Sequence, residues 1–213
     1  MQILTREDLE RYTQQEMFCD LSSANLRAWR LGVRQWVIYR CYCRFDCFNQ
    51  LEARDITFLP AATKLHFRTG KTDQLYMGKQ TYIPVEQGPF DLGKLLRRYL
   101  AMLGVSNSAS CHAALNCRLR RHGSRLTPDT TQKLTYASAV AELKWGMQQI
   151  GKSTRDLGEK SSKMGGVTAA YERGVALDKI REQGRWSATE SVLHYIRSED
   201  EARSKACQEF TDL

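Results

Sequence analysis

A block of strand-type sequence between residues 55 and 85 constrains the fold most, because helical patterns lie on both sides of it. The block contains three short runs rich in β-branched and aromatic residues, at 56–59, 64–68 and 81–85. A polar turn at residues 69–73 (TGKTD) follows the second run. Short strands joined in this way predict a small antiparallel sheet within a mainly helical, α+β chain.

The segment before this block has the pattern of two helices. Thr5, followed three residues later by Asp8, forms a capping-box pattern that starts a helix expected to end near Gln15. Apolar residues recur every three to four positions across residues 26–38. They predict a second, longer helix that continues toward Cys43.

Further helices are predicted along the rest of the chain. Asp91 can cap a helix that runs to Leu103 and stops at Gly104. Residues 105–134 show no clean period, but they include a basic run that either contacts phosphate or forms a solvated surface loop: Arg118, Arg120, Arg121, His122 and Arg125. The last helices are expected at about 135–150, 164–173, 176–183, 187–196 and 198–209.

The charge balance favours a polyanionic partner. The 213 residues, 42% of them hydrophobic, can build one full-sized core or two small ones. Lys and Arg number 32 against 24 Asp and Glu, which gives a net charge of +8 and a pI near 9.2. Binding to nucleic acid is favoured because neutralised phosphates release their counterions. Charge of this size also occurs on basic proteins with other functions.

Cysteine usage and hydropathy indicate the environment of the chain. The seven cysteines are odd in number and unevenly spaced, and no hydrophobic signal peptide precedes them. We therefore expect a reducing, intracellular compartment, either a eukaryotic nucleus or a bacterial cytoplasm. Cys41, Cys43 and Cys47 lack a second pair of ligands at zinc spacing, so we expect them to be buried helix residues. Charged residues interrupt every apolar stretch before the roughly 20 residues that a membrane span needs, so no membrane partner is expected.

The C-terminal third carries several short motifs in a defined order. Residues 160–170 read KSSKMGGVTAA, residues 184–187 read GRWS and residues 194–197 read HYIR. Tyr195 follows Trp186 by nine residues. This series resembles the tyrosine recombinase, or phage integrase, family. In that family a His-x-x-Arg box precedes a Gly/Ala-rich helix, and a Gly-x-His/Trp element precedes the nucleophilic tyrosine.

The resemblance continues upstream and covers residues 3–205. The sequence RFDCFNQL at 44–51 is similar to the family's Arg-x-x-Glu/Asp-Leu-x-x-Leu box, with Arg44 at the first-arginine position. Lys71, in the polar turn, fits the family's catalytic lysine better than Lys64 or Arg68. The resemblance implies the tyrosine recombinase catalytic-domain fold over residues 1–213, with the N-terminal core-binding domain absent. Within the family, the motifs look most like those of eukaryotic mobile-element recombinases.

The implied activity is breakage and rejoining of DNA strands without a cofactor or metal. A phosphodiester needs an in-line nucleophile, cations around its oxygens and an acid for the leaving group. Tyr195 would attack and form a 3′-phosphotyrosine, Arg44 would clamp a non-bridging oxygen, and Lys71 would protonate the 5′-oxygen. Trp186 would pack beside the phosphate and donate its indole N–H.

Three positions depart from the family pattern. Lys163 replaces the second arginine and keeps its charge, but it loses the planar fork that binds two phosphate oxygens. Lys160 replaces the usual histidine, as in related recombinases and type IB topoisomerases. Cys47 stands where an acidic residue is expected. Losing one transition-state donor costs about 10²–10³ in rate, so both slow cleavage and inactivity remain open.

Three functions are therefore compatible with the sequence. The first is site-specific recombination or integration, the second is a catalytically impaired domain that binds DNA or protein, and the third is topoisomerase IB-like relaxation of DNA. Double-stranded DNA is the expected partner, and the resemblance implies a homo-oligomer, a tetramer, on it. Residues 199–213 are predicted to form a helix that docks on a neighbouring copy.

Each site residue also has a structural alternative. Tyr195 and Trp186 could be ordinary core aromatics. Arg44 could be an interior ion-pair partner, and Lys71 a solvated surface lysine. The Gly165-Gly166 pair is interpreted as a place of close backbone packing.

Overall fold

The computed structural model describes residues 2–19, 25–68, 78–123 and 125–196. Its helices are α1 (Arg6–Tyr12), α2 (Leu26–Cys41), α3 (Phe45–Asn49), α4 (Leu92–Leu103), α5 (Tyr136–Gln149), α6 (Ser161–Glu172), α7 (Leu177–Gly184) and α8 (Glu190–Leu193). Its strands are β1 (Ile56–Phe58), β2 (Ala62–Phe67), β3 (Lys79–Pro84), β4 (Cys117–His122) and β5 (Arg125–Lys133). No helix in the described ranges is long and apolar enough to cross a membrane.

Two helices begin at the caps that the sequence predicts. The Thr5 hydroxyl accepts from the Asp8 amide at 3.2 Å, and the Asp8 carboxylate accepts from the Thr5 amide at 2.8 Å. α1 then continues beyond Tyr12 as a π-helical turn over Thr13–Met17. In α4, Asp91 accepts from Lys94 N at 2.8 Å, and Gly104 ends the helix with a left-handed φ of 68°.

α2 runs through the core, and nearly all of its residues are buried. Two of them are arginines that pair with Glu142 of α5, at 2.5 Å from Arg30 and 2.8 Å from Arg34. Arg34 also lies 3.3 Å from Glu159, which precedes α6. Removing one member of a buried ion pair typically costs about 3–5 kcal/mol, because an uncompensated charge remains. This network therefore fixes α5 and the start of α6 against α2.

The predicted antiparallel sheet is present, in the strand order β1–β2–β3. Ile56 pairs with Leu65, and Thr63 pairs with Ile83. One face of β2 is buried, with Leu65 and Phe67 in the core. The turn that carries Lys71 lies in residues 69–77, outside the described residues.

Residues 105–134 contain regular structure that the sequence analysis did not predict. β4 and β5 form an antiparallel hairpin, with Arg118 opposite Asp129 and His122 opposite Arg125. Apolar and basic residues alternate only from Cys117 to Arg120, and Arg121 breaks the pattern, so the alternation is too short to mark the whole strand. Backbone pairing nevertheless forms a ladder.

The C-terminal helices follow the predicted order with changed ends. α6 begins at Ser161 rather than 164, and α8 covers only Glu190–Leu193 of the predicted 187–196. The helix predicted at 198–209 lies outside the described residues. Gly165 and Gly166 fit the expected close packing, because a Cβ would overlap the Leu4 carbonyl oxygen at one and the Tyr39 carbonyl oxygen at the other.

Candidate active site

Four of the six predicted site residues lie at element ends in the C-terminal half of the chain. Lys160 is the N-cap of α6 and is exposed, and Lys163 is the third residue of that helix and is buried. Trp186 follows α7, and Tyr195 lies in the turn after α8. Arg44 is the exposed N-cap of α3, and Lys71 lies outside the described residues.

Lys163 brings the two predicted aromatic residues together. Its Nζ lies 4.1 Å from the ring centroid of Tyr195 and 4.4 Å from that of Trp186. The two rings are 5.3 Å apart with an interplanar angle of 32°. Tyr42 stacks on Trp186 at 6.3 Å. Contacts of an ammonium group with aromatic faces are attractive, so they hold this cluster together.

Tyr195 is anchored by the residues on both sides of it. Val192 and Ile196 are buried in a small second core, which they share with Val167 of α6. The Tyr195 amide donates to the Val192 carbonyl at 2.9 Å, and the Thr168 hydroxyl donates to the Tyr195 carbonyl at 3.3 Å. Tyr195 itself is half-buried, so it is not a fully buried core aromatic.

Trp186 is positioned by the residues before it. One of them, Arg185, was not among the predicted site residues. Arg185 adopts a left-handed φ of 59°, which is uncommon outside glycine. Its guanidinium donates to Thr81 Oγ1 at 2.5 Å and lies 4.0 Å from the Phe67 ring, which ties this loop to β2 and β3. Gly184 lies against the Trp186 ring, where a Cβ would overlap it.

Positive charge converges on Lys163 without a carboxylate to balance it. Burial, together with the nearby charges of Arg44 and Arg185, lowers the pKa of Lys163 from 10.5 to about 7. The Cys43 and Cys47 thiols act in the opposite direction. Burial also raises the pKa of Cys43, so this thiol stays neutral. Among the described residues, neither Lys163 nor Arg44 forms an ion pair.

The first turn of α6 adds to this positive potential. Lys160 and Lys163 lie at the end of the helix where the backbone dipole is positive, and the turn contains no acidic residue. Lysines at this end destabilise a helix unless an anion lies nearby. The arrangement is therefore suited to an anionic ligand such as a phosphate.

Two structural alternatives from the sequence can be compared with these positions. Arg44 is exposed and unpaired among the described residues, so it is not an interior ion-pair partner. The expectation of buried helix cysteines is met by Cys41, whereas Cys43 is buried between α2 and α3 and Cys47, in α3, is only partly buried. Within the described ranges, no group of three His, Cys, Asp or Glu side chains could hold a metal ion.

Several solved structures with a similar fold are recombinases. One is XerH site-specific recombinase bound to its palindromic difH substrate in a post-cleavage complex, with a TM-score of 0.67, 16% identity, and coverage of 99% of this chain and 53% of that chain. For XerA recombinase the TM-score is 0.65 and the identity 11%, and the match covers 99% of this chain and 64% of that chain. For FLP recombinase in a Holliday junction complex the TM-score is 0.56 and the identity 12%, and the match covers 85% of this chain and 43% of that chain. The chain spans about half the length of the XerH and FLP chains.

No protein-family model matches the chain, and a search of curated proteins found no match. The structural likeness, at 11–16% identity, establishes the fold. The predicted tyrosine recombinase catalytic-domain fold, α+β and mainly helical with a small antiparallel sheet, is therefore confirmed.

Proposed function

We propose that this chain breaks and rejoins DNA strands, with Tyr195 as the nucleophile. The observation that carries the proposal is the contact between half-buried Tyr195 and Lys163, a buried lysine with no ion pair among the described residues. The fold supports the same interpretation, because XerH and FLP share it and are recombinases bound to DNA. The proposed partner is double-stranded DNA, and the proposed reaction is site-specific recombination or integration.

In the proposed reaction, the Tyr195 hydroxyl oxygen attacks the phosphorus and the bond to the 5′-oxygen breaks. The tyrosine gives its proton to solvent water, and the departing 5′-oxygen gains one from an acid, which we assign to Lys71. The product is a 3′-phosphotyrosine and a free 5′-hydroxyl. A 5′-hydroxyl of the same or another strand can then attack this ester and release Tyr195, so rejoining needs no external energy source.

The cations around Tyr195 would bind the phosphate during this reaction. Arg44 would donate two N–H groups to one or two non-bridging oxygens. Lys160, the N-cap of α6, and Lys163, in its first turn, would supply further positive charge. Stabilisation of the pentacovalent transition state by such donors is commonly the largest single catalytic contribution.

A suicide DNA substrate tests the nucleophile directly. Such a substrate loses a short fragment after cleavage, so the covalent protein–DNA product accumulates. We expect a covalent band with the unmodified chain, its loss in Tyr195→Phe and its persistence in Tyr171→Phe. Tyr171 is a matched control, because it packs against the same small core as Tyr195. Formation of the band in the presence of a chelator would support a metal-free reaction.

The impaired-domain alternative gives a different result in the same experiment. It is motivated by Lys163 in place of an arginine and by Cys47 in place of an acidic residue. If the chain binds DNA but forms no adduct through Tyr195, the protein acts as a binding module. If it relaxes arbitrary plasmid DNA but does not recombine defined sites, the topoisomerase-like alternative is correct.

Finer assignments belong to the same proposal. The motif likeness to eukaryotic mobile-element recombinases suggests integration of such an element as the biological role. Strand exchange between two duplexes needs several active sites, so we also propose that copies of this chain assemble as a tetramer on DNA. Sedimentation with and without a two-site DNA substrate would test that assembly.

A further inference from the structure

The β4–β5 hairpin has two chemically different faces. Side chains alternate along a strand, and directly paired residues point to the same side. One face carries Leu119, Leu126 and Pro128, which are partly buried, with exposed Arg121 near the turn, and Leu119 packs against the main core. The opposite, outer face carries four exposed residues, Arg118, Arg120, His122 and Arg125. The hairpin therefore rests on the protein through an apolar face and presents a cationic face to solvent.

Much of the net charge of the chain is concentrated here. Residues 117–133 contain five Lys or Arg residues and one acidic residue, Asp129, whereas the whole chain has a net charge of +8. Asp129 is already paired with Arg120 at 2.5 Å. Arg118 and Arg125 form no ion pair among the described residues. Their charges remain available to a ligand.

The base of the hairpin is fixed next to the element that carries Arg44. The Asn116 amide donates to Asn49 Oδ1 at 2.8 Å, and Lys133 donates to Gln50 Oε1 at 2.5 Å. Asn49 is the last residue of α3, and Gln50 follows it. The hairpin is therefore held against the C-terminal end of the short helix whose N-cap is Arg44.

We propose that the outer face of the β4–β5 hairpin, through Arg118, Arg120 and Arg125, binds the sugar-phosphate backbone of duplex DNA outside the cleaved phosphodiester. The inference rests on the proposed function for its ligand and adds a second contact surface to it. Arginines at alternate positions lie about 6.8 Å apart, which matches about two base-pair steps of 3.4 Å. The outer face has no apolar residue at its centre, unlike the core of a protein–protein interface.

The test compares two variants that lose the same charge. The hairpin variant is Arg118→Gln with Arg125→Gln, which keeps the Arg120–Asp129 pair that stabilises the ladder. The control is Arg11→Gln with Arg155→Gln, two exposed arginines outside the hairpin and the site. Circular dichroism and thermal unfolding check that both variants fold. DNA affinity is measured over a range of salt concentrations, together with hydroxyl-radical footprints and suicide-substrate cleavage.

The hairpin variant is expected to reduce the slope of log affinity against log salt by about two, since each lost phosphate contact removes close to one. It should also lose backbone protection over about six base pairs on one side of the cleavage site, the reach of a hairpin about 20 Å long. The control should change the slope by less than one. Adduct formation at saturating protein should be the same in all three proteins.

The outcomes separate the two proposals. If the hairpin variant has the same salt slope and footprint as the control variant, and the adduct still forms, the hairpin inference is wrong. The proposed function is then unaffected. If the unmodified chain forms no covalent band, but protects the flanking DNA and the hairpin variant removes that protection, the proposed cleavage is wrong and the hairpin contact is supported. If the unmodified chain does not bind duplex DNA, both proposals are wrong.

Discussion

At the scale of single residues, Lys163 links ligand binding to pH. Its pKa is lowered to about 7 in the free protein, so at pH 8 it is largely neutral. A bound phosphate attracts the charged form and raises that pKa. DNA binding at pH 8 should therefore take up a proton at Lys163, and affinity should fall as the pH rises from 7 to 9.

Calorimetric titration in two buffers of different ionisation enthalpy measures this uptake. The binding heats should differ between the buffers for the unmodified chain. They should differ less for Lys163→Arg, because arginine stays protonated in both states. Equal heats in the unmodified chain would mean that Lys163 does not change protonation when DNA binds.

The same substitution tests whether the site is impaired by the loss of the fork. Lys163→Arg keeps the charge and restores two parallel N–H donors, and a guanidinium can stack on Trp186 and Tyr195. We expect suicide-substrate cleavage to become faster by one to two orders of magnitude, with DNA affinity nearly constant, because the added donor acts mainly on the transition state. Slower cleavage would mean that the pocket, in which Lys163 is only 3% exposed, has adapted to lysine.

At the scale of elements, the packing of α6 on α2 holds the first turn of α6 in place. Gly166 lies against the Tyr39 carbonyl, so Gly166→Ala must push the two helices apart. We expect a loss of about 1–3 kcal/mol in the free energy of unfolding, as is typical when a methyl group is forced into a packed core. Gly158→Ala is the matched control, since a Cβ there has nothing within 4 Å.

Urea unfolding of both variants measures the difference. The control should stay within about 0.5 kcal/mol of the unmodified chain, as surface substitutions usually do. A Gly166→Ala variant as stable as the control would show that α6 can move away from α2 at little cost.

The elements differ in how clearly the sequence specifies them. α4 is predicted from end to end, because Asp91 and Gly104 encode its cap and its stop locally. The β4–β5 hairpin is not, since the alternation of apolar and basic residues in β4 stops at Arg121, after only four residues. α8 is shorter than predicted because residues 185–189 are used to turn the chain after Arg185.

The residues of the site also differ in how well the sequence predicts them. The family resemblance brought Lys163, Trp186 and Tyr195 into one hypothesis, and the structure places these three in contact. The contribution of Arg185 depends on Thr81, 104 residues away, and on a left-handed backbone, so no local pattern reveals it. The role of Lys71 stays a prediction, because it lies outside the described residues.

At the scale of the whole molecule, the excess of basic residues should make DNA binding strongly dependent on salt. Arg44, Lys160 and Lys163 lie at the site, and the outer face of the hairpin adds further cations. We expect a log–log slope of magnitude about four or more, which fluorescence anisotropy measures between roughly 50 and 200 mM salt. Affinity that does not change over this range would exclude nucleic acid as the partner.

The ion network in the core also affects how the chain matures during synthesis. Arg34 leaves the ribosome 108 residues before Glu142, its partner in α5. At about 5–20 residues per second, roughly 5–20 s pass before Glu142 is synthesised. Until then, Arg30 and Arg34 lack the carboxylate with which they pair in the core. During that time we expect Trp29 and Trp36, which are buried in the folded chain, to stay accessible. This window is when molecular chaperones would engage the growing polypeptide.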